Sequence, residues 1–305
     1  MKEKLLDEFS LILREDQVKE DERLEFHTSL HIGGECDFLV TPSSCDEIKE
    51  VVRVCIENQV PFFVMGNGSN LLVSDKGYRG VIIKLGENFS QITISDGGQV
   101  TAQAGVALSK LANKVADNGL SGFEFASGIP GTLGGAVAMN AGAYGGDMNQ
   151  CVVGATVMDL DGNIKELNNE QLELGYRTSI LQKKDYILLE AVIKLEKGLR
   201  EEIFRKMKDL NARRRDKQPL EYYSCGSTFK RPTGFYAGKL IEESGLKGYT
   251  VGGASVSEKH SGFIINKGKA TAKDFITVIE DVKRIVYDKQ GVRLEPEVRF
   301  LGDFE

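Results

Sequence analysis

A glycine-rich segment constrains this chain more than any other feature of its sequence. Residues 128–146 read GIPGTLGGAVAMNAGAYGG, so seven of the nineteen residues are glycine and almost none carries a reactive group. Glycine lacks the Cβ atom that would block a bound phosphate, and it allows backbone angles that aim several amides at one anion. A related loop, GNGSN, lies at residues 66–70. Two such loops predict a long ligand that carries phosphate.

Neither loop matches a common nucleotide-binding motif. Both lack the Walker Gly-Lys-Ser/Thr spacing and the G-x-G-x-x-G fingerprint. For residues 66–70 alone, an ordinary strand-to-strand turn is an equally good interpretation. In the second segment Pro130 suits a first helical turn, where uncovered amides bind anions, and the alternative is close helix packing through Gly134, Gly135 and Ala136. We favour ligand binding, since glycines that only aid packing need not cluster around a helix start.

Length, charge and cysteine usage limit the class of protein. The 305 residues are 41% apolar and 28% charged, which suits two or three globular domains. A net charge of -6 argues against nucleic-acid or membrane-surface partners. Residues 1–16 have helical spacing interrupted by charges, unlike a signal peptide, and no apolar run approaches bilayer length, so we expect a cytoplasmic protein. Five cysteines without a C-x-x-C pair and three scattered histidines predict neither disulfides nor a metal site.

Periodicity predicts alternating strands and helices. A capping box at Ser44 and Glu47 begins a helix with Cys55 in its core face, and a further helix is predicted around Leu108–Ala116. Asp161-Gly162 marks a hairpin turn. An amphipathic helix is predicted at the N-terminus, through residue 16. The predicted strands are 61–65, 81–85, 91–95, 100–104, 152–160, 164–167, 187–195, 249–256, 262–266 and 292–301.

The last third of the chain reads as a separate α+β unit. A charged helix at 201–215 ends before Pro219, which marks the domain boundary, and its run Arg213-Arg214-Arg215 is typical of a solvated helix face. A long helix carries Phe275 to Ile285. In the predicted strand 292–301, one face is apolar and the other charged. The apolar face has Leu294, Pro296, Val298 and Phe300, and the charged face has Arg293, Glu295, Glu297 and Arg299.

Six motifs in order resemble one known family. They are GNGSN (66–70), the segment at 128–146, YRTSI (176–180), CGSTFKRP (225–232), AGKLIEESGLKG (237–248) and LEPEV (294–298). Together they resemble the UDP-N-acetylenolpyruvoylglucosamine reductase family, from about Phe26 to the C-terminus, in its shorter class without an extra tyrosine loop. The resemblance implies an α+β fold, with a two-lobed FAD-binding domain of the vanillyl-alcohol-oxidase type and a C-terminal α+β substrate-binding domain. The implied boundaries are 1–86 for lobe 1, 87–205 for lobe 2 and 206–297 for the substrate domain, with the last strand, near 298–305, as a candidate to rejoin lobe 1.

The family's activity is the implied function. It is NADPH-dependent, FAD-mediated reduction of UDP-N-acetylglucosamine enolpyruvate to UDP-N-acetylmuramate, a step of peptidoglycan synthesis. The expected partner is this UDP-sugar, with no nucleic acid or membrane partner and a monomeric enzyme. The expected cofactor contacts are Gly66, Asn67, Gly68, Ser69, Asn70, Leu71, Gly128, Ile129, Gly131, Thr132, Gly134, Gly135, Asn140, Ala141, Gly142 and Ala143.

The resemblance also assigns three catalytic residues. Arg177 and Glu297 match the arginine and glutamate that stabilise the enolate, and Ser227 matches the proton donor. A guanidinium suits a delocalised carboxylate-enolate, and a hydroxyl can protonate so basic a carbon. Without the resemblance, Arg177 reads as a surface or structural arginine and Glu297 as one member of an exposed charged face. Ser227 lacks a G-x-S-x-G setting, which disfavours a triad, and Cys225 reads as structural.

Local positive charge is expected to hold the UDP diphosphate. The candidate cations are Lys230, Arg231, Lys239 and Lys247, and Arg231 stands where many relatives have asparagine. Tyr176 is a further candidate for contact with the substrate. His260 is either a flavin neighbour or a core residue. Two other functions remain open on sequence: another FAD-dependent oxidase or dehydrogenase of this fold, and a non-catalytic nucleotide-binding module that keeps the glycine loops alone.

Overall fold

The computed structural model describes residues 2–305 and divides the chain into two compact units. The first unit contains the chain up to Glu20, Phe38–Asn67 and Gly80–Arg214. The second contains Asp21–Asp37, Gly68–Arg79 and Arg215–Glu305. Each unit has its own hydrophobic core.

The helices and strands alternate along the chain, as the periodicity predicts. The helices are α1 (Lys2–Ser10), α2 (Cys45–Glu57), α3 (Leu108–Asp117), α4 (Leu133–Ala138), α5 (Arg200–Lys217), α6 (Ala237–Glu243) and α7 (Ala272–Gln290). The strands are β1 (Val18–Arg23), β2 (Glu35–Val40), β3 (Phe62–Met65), β4 (Leu71–Val73), β5 (Tyr78–Lys84), β6 (Ile92–Ile94), β7 (Gln99–Gln103), β8 (Leu120–Ser121), β9 (Gly142–Ala143), β10 (Gly146–Asp147), β11 (Val152–Met158), β12 (Ile164–Asn168), β13 (Ile187–Lys194), β14 (Glu196–Lys197), β15 (Tyr223–Ser224), β16 (Thr250–Val251), β17 (Ala254–Val256), β18 (Ile264–Asn266) and β19 (Arg299–Leu301).

Two sheets shape the first unit. One has the order β1-β2-β5-β3, with β3 and β5 parallel, and the unit borders fall within β1, β2 and β5. The other has the order β12-β11-β13-β7-β6 and is antiparallel. The predicted hairpin at Asp161-Gly162 joins β11 to β12, with Gly162 at φ +78°. Loop 66–70 follows β3, so it begins at a strand end, as predicted.

Helix α2 shows why these elements form where the sequence predicts. Ser44 is its N-cap and accepts a hydrogen bond from the Glu47 amide at 3.1 Å. The Glu47 carboxylate accepts from the Ser43 amide, one residue earlier than a capping box requires. Ile48 and Cys55 are buried, and burial contributes about 1.5–3 kcal/mol for a side chain of isoleucine size.

The second unit places a small sheet against one long helix. Its sheet has the order β15-β18-β17-β16, and β19 pairs in parallel with β4. Helix α7 begins at a capping box of Thr271 and Asp274 and ends at Gly291 in left-handed conformation. Asp75 accepts hydrogen bonds from the amides of Ala272 and Lys273. The buried face of α7 includes Phe275, Val278, Ile279, Val282 and Val286.

Three predicted elements differ from the structure. The predicted strand 292–301 is a strand only at Arg299–Leu301, because Pro296 has no N–H to donate to a ladder and forms only an isolated bridge with Phe229. Its predicted apolar face also fails at Phe300, which is 44% exposed. The predicted strand 249–256 is a hairpin that turns at Gly252, where φ is +53°. The N-terminal helix ends at Ser10, well before residue 16.

Three structural findings bear on membrane, disulfide and metal sites. Within residues 2–305, no helix combines the length and apolar character that a bilayer crossing needs. All five cysteines are free thiols. In that same range, no group of three His, Cys, Asp or Glu side chains is placed to hold a metal ion.

Candidate active site

Gly66, the first residue of loop 66–70, meets the glycine-rich segment 128–146 inside the first unit. A Cβ atom on Gly66 would overlap the Thr132 side chain, whose Cγ2 lies 3.0 Å from that position. Thr132 precedes α4, yet its hydroxyl makes no capping hydrogen bond. Gly66 is therefore required for this close approach.

Several backbone amides at this junction lack a protein acceptor. In the part of the chain that the structure describes, the amides of Gly66, Asn67, Gly131 and Thr132 donate to no carbonyl or side chain. Thr132 is only 3% exposed, so its N–H is a buried orphan donor. Such a donor requires a ligand or an ordered water. The junction therefore fits the oxygens of a diphosphate.

The start of α4 itself is not available to an anion. The amides of Leu133 and Gly134 donate to the carbonyls of Val106 and Ala104, both at 2.8 Å. A Cβ on Gly134 would lie 3.1 Å from that of Ala104. The expectation that uncovered helix-start amides bind the ligand is thus wrong for these two amides, because a neighbouring loop already occupies them. Gly134 therefore serves close packing of the helix, which is the alternative to ligand binding that the sequence left open.

Arg177 lies at the tip of a tight turn in the first unit. Gly175 and Thr178 exchange backbone hydrogen bonds at 3.0 and 3.3 Å, which leaves Tyr176 and Arg177 as the two central residues. Arg177 has φ +55°, a left-handed conformation that is uncommon for arginine. Its guanidinium lies 5.3 Å from the centre of the Tyr176 ring. Strained backbone of this kind clusters at functional sites.

The Arg177 turn is tied to the glycine-rich segment by side-chain amides. Asn140 donates to the Gly175 carbonyl at 3.0 Å and accepts from the Asn149 amide at 2.9 Å. Gln182 donates to the carbonyls of Ala138 and Arg177. The contact of Asn140 with the cofactor stays a prediction, and its buried side chain bonds to backbone groups of the protein. Its structural function is to position the Arg177 turn.

Ser227 and Glu297 are brought together in the second unit. The Glu297 amide donates to the Thr228 carbonyl at 2.7 Å, and the Lys230 amide donates to the Glu295 carbonyl at 2.8 Å. Ser227 therefore stands one residue before a short ladder that contains Glu297. Gly226, at φ +80°, turns the chain into this ladder. Both candidate side chains are half-buried.

Neighbouring residues hold this ladder in place. The Thr228 amide donates to the Gly262 carbonyl, and the Thr228 hydroxyl accepts from the Ile264 amide at 3.0 Å. Asn70 donates its side-chain amide to the Glu297 carbonyl at 3.1 Å. Burial raises the pKa of the Cys225 thiol to about 12, with a smaller contribution from nearby Glu297. A thiol with so high a pKa stays protonated near neutral pH and is a poor nucleophile, which agrees with a structural role for Cys225.

The predicted substrate cations are ion-paired on the surface of the second unit. Lys230 lies 3.4 Å from Glu295, and Lys239 lies 3.6 Å from Glu243. Lys247 lies 2.7 Å from Glu242. The Arg231 guanidinium stacks on Tyr236, with 3.9 Å to the ring centre. Exposed pairs of this kind contribute little to stability, so these cations can exchange partners at low cost.

His260 is half-buried. Burial lowers the pKa of its imidazole, which favours the neutral ring. Its Nδ1 accepts from the Gly262 amide at 3.2 Å, and the ring packs edge-on against Phe263. Of the two interpretations, these contacts support the core residue.

Arg214 is a candidate site residue that no sequence motif indicated. It was placed on a solvated face with Arg213 and Arg215, but Arg214 is half-buried and its Cδ would lie 3.2 Å from a Cβ on Gly128. Arg213 and Arg215 are exposed. Successive helical residues point about 100° apart, so three in a row cannot share one face. This helical spacing is the sequence signal that one of the three arginines faces the protein interior.

Comparison with known proteins decides the family. A family model described as an FAD binding domain matches residues 36–168, and one described as the UDP-N-acetylenolpyruvoylglucosamine reductase C-terminal domain matches 218–301. The curated reductase of that name from Lachnoclostridium phytofermentans is 52% identical over 302 residues, 98% of this chain and 97% of the relative. The chain belongs to the UDP-N-acetylenolpyruvoylglucosamine reductase family.

Two further members of the reductase family support the same assignment. The reductase of Caldanaerobacter subterraneus is 51% identical over 99% of this chain and all of its own length. The crystal structure of the Thermus caldophilus reductase has a TM-score of 0.79 and 37% identity, covering 92% of this chain and 97% of its own. The recognised family and the α+β FAD-binding fold are thus confirmed, and the chain is a flavin-dependent oxidoreductase of peptidoglycan synthesis. A non-catalytic module is excluded.

Proposed function

We propose that this reductase takes its electrons from NADPH and reduces UDP-N-acetylglucosamine enolpyruvate to UDP-N-acetylmuramate. The observation that carries the proposal is the ladder that pairs Glu297 with Thr228, the residue next to Ser227. The chain also covers at least 97% of the two curated relatives named above. FAD, when bound, supplies hydride chemistry that no amino-acid side chain offers. The residues that hold its diphosphate are those at the Gly66–Thr132 junction.

The substrate change fixes what the side chains must do. A hydride adds to the methylene carbon of the enolpyruvyl double bond, and its electron pair moves to the carbon that bears the carboxylate. A proton added to that carbon completes the reduction. The chain must therefore stabilise a carboxylate-enolate and deliver one proton.

Arg177 is assigned to the carboxylate. Its planar guanidinium offers paired donors that match a carboxylate, and these interactions strengthen as the charge of the enolate develops. The left-handed turn and the side-chain amides of Asn140 and Gln182 fix the backbone from which the guanidinium extends. Preorganised charge of this kind is usually a large part of catalysis.

Ser227 is assigned as the proton donor and Glu297 as its partner in stabilising the enolate. No hydrogen bond of the Ser227 hydroxyl to the protein exists among residues 2–305, so the hydroxyl is available to a substrate atom. The ladder fixes the backbone of both residues. Tyr176, Lys230, Arg231 and Lys239 are assigned to the UDP-sugar. The net charge of -6 argues against nucleic-acid and membrane-surface partners. A cytoplasmic monomer is part of the proposal.

An anaerobic assay tests this function. Protein loaded with FAD is mixed with NADPH, with or without the enolpyruvyl substrate, and the product is identified by mass spectrometry. We expect one equivalent of NADPH to be consumed without substrate, and continuous turnover to UDP-N-acetylmuramate with it. Replacing the substrate by UDP-N-acetylglucosamine is the control. Continuous turnover in that control would disprove the proposed substrate, and faster turnover with NADH would disprove the proposed reductant.

A further inference from the structure

Arg214 lies against the first glycine of the segment 128–146. It belongs to helix α5, and its Cδ would be 3.2 Å from a Cβ at Gly128. The Asn211 side chain, one turn earlier, would overlap the same Cβ. A glycine at 128 therefore lets α5 bring an arginine onto the backbone of the glycine-rich segment.

The charge of Arg214 has no anion to balance it. Among residues 2–305 it makes no hydrogen bond and no ion pair. Burial lowers the pKa of its guanidinium, and the only group that opposes this effect is the phenol of Tyr144. The adjacent Arg213, by contrast, pairs with Asp209 at 2.8 Å. A partly buried cation without an anionic partner is unfavourable, so its place in the fold favours a ligand that carries negative charge.

A second orphan group lies next to Gly128 in the chain. The hydroxyl oxygen of Ser127, directly before Gly128, is buried and has no hydrogen-bond partner in the described chain. Buried hydroxyls are normally satisfied, and the exceptions mark an unseen ligand or water. Ser127 and Arg214 thus indicate one polar ligand group at this end of the segment.

The part of FAD that this polar group belongs to can be inferred from the binding groups already assigned elsewhere. Uncharged amides at Gly66 and Thr132 already fit the diphosphate of FAD. The flavin ring is neutral when oxidised, and its N1–C2=O edge gains negative charge on two-electron reduction. Protein charge near N1 is one of the ways in which a protein tunes this cofactor.

We infer that Arg214 is the counter-charge for the N1–C2=O edge of the reduced flavin. It is a positioning residue that favours reduced over oxidised FAD and so raises the reduction potential of the bound cofactor. Because binding and reduction form a closed thermodynamic cycle, a change in potential equals the change in the ratio of the two affinities. The inference rests on flavin reduction in the proposed function, but not on the substrate.

The test compares Arg214→Met with the matched control Arg213→Met in FAD-loaded protein. The midpoint potential is measured with redox dyes, without NADPH or UDP-sugar, and the Kd for oxidised FAD by fluorescence. For Arg214→Met we expect a ten- to hundredfold loss of preference for reduced FAD, a fall of about 30–60 mV for a two-electron couple. The Kd for oxidised FAD stays within about threefold, and Arg213→Met matches the unaltered protein.

Two outcomes would overturn the inference. An unchanged potential in Arg214→Met with an unchanged Kd for oxidised FAD removes the counter-charge role. An unchanged potential with a raised Kd means that both forms lose affinity equally, which assigns Arg214 to the diphosphate instead. Arg214→Lys, which keeps the charge, is expected to lose less potential than Arg214→Met. If neither variant folds, the unaltered protein still tests the inference. A positive charge near N1 lowers the pKa of the reduced ring below that of free FAD, so a pKa that is not lowered would overturn the inference. Failure of the UDP-sugar assay leaves all these measurements valid.

Discussion

At the scale of single residues, Ser227 combines an available hydroxyl with a fixed backbone. Replacing it by alanine removes the proposed proton donor and leaves the ladder intact. We expect Ser227→Ala to accept electrons from NADPH at near-normal rate in single-turnover absorbance measurements. Steady-state turnover should fall by about 10²–10⁴-fold, the usual contribution of a positioned acid.

Ser224→Ala is the matched control, since Ser224 lies three residues earlier and its backbone carbonyl, which accepts from the Ser29 hydroxyl at 2.7 Å, is retained. It should keep turnover within about twofold of the unaltered enzyme, as expected for a substitution that removes no catalytic contact. Near-normal turnover in Ser227→Ala would remove Ser227 from the mechanism.

Single residues also show how far the sequence could predict the site. Arg177, Ser227 and Glu297 follow from motifs, and their roles stay predictions. The left-handed turn at Arg177 has no sequence signal, because arginine rarely adopts it. The resemblance implies that Asn140 contacts the cofactor, which stays a prediction, but no motif indicates that its side-chain amide bonds to the Arg177 turn. Such long-range use of a side chain depends on tertiary packing, which a motif does not describe.

At the scale of elements, the close approach of Gly66 to Thr132 creates the junction that is proposed to hold the diphosphate. Gly66→Ala would force the new methyl group into Thr132. We expect this overpacking to lower the free energy of unfolding by about 1–3 kcal/mol and to weaken FAD binding. Urea unfolding and FAD titration measure the two effects.

Two variants serve as controls for Gly66. Gly97→Ala adds the same methyl group where the nearest atom is Ser95 Oγ at 3.9 Å, and it should change neither property. Adding Thr132→Ala to Gly66→Ala removes the colliding atoms and should restore part of the lost stability. No recovery in the double variant would show that the close approach of these two residues is not the cause.

Elements with strong local signals were predictable, and those set by distant partners were not. Helix α2 and the β11–β12 hairpin carry their own cap and turn residues, so periodicity placed them correctly. Residues 292–298 alternate like a strand, but Pro296 and a parallel partner far earlier in the chain confine the strand to Arg299–Leu301. Pairing of β19 with β4 joins residues more than two hundred positions apart, for which local patterning gives no signal.

At the scale of the whole molecule, the second unit is assembled from three separate stretches of chain. The C-terminal family domain, 218–301, covers only the last of them. The core of this unit also includes Leu30, Ile32 and Leu72, each at most 2% exposed. Asn266 donates its side-chain amide to the Leu30 carbonyl at 2.9 Å. The three-part division at 86 and 205 stays a prediction, but the substrate domain depends on residues near the N-terminus.

A fragment of residues 215–305 therefore should not fold by itself. Losing three buried side chains at about 2–5 kcal/mol each removes as much as the whole stability of a typical domain, about 5–15 kcal/mol. The fragment also loses β4, the partner of β19, and Asp75, which caps α7. We expect a poorly dispersed NMR spectrum and no cooperative thermal transition. In the full chain, Leu30→Ala should cost about 2–5 kcal/mol, whereas Leu11→Ala, at an 89% exposed residue, should cost less than about 0.5 kcal/mol. A well-dispersed, cooperatively unfolding fragment would show instead that the C-terminal stretch carries a sufficient core of its own.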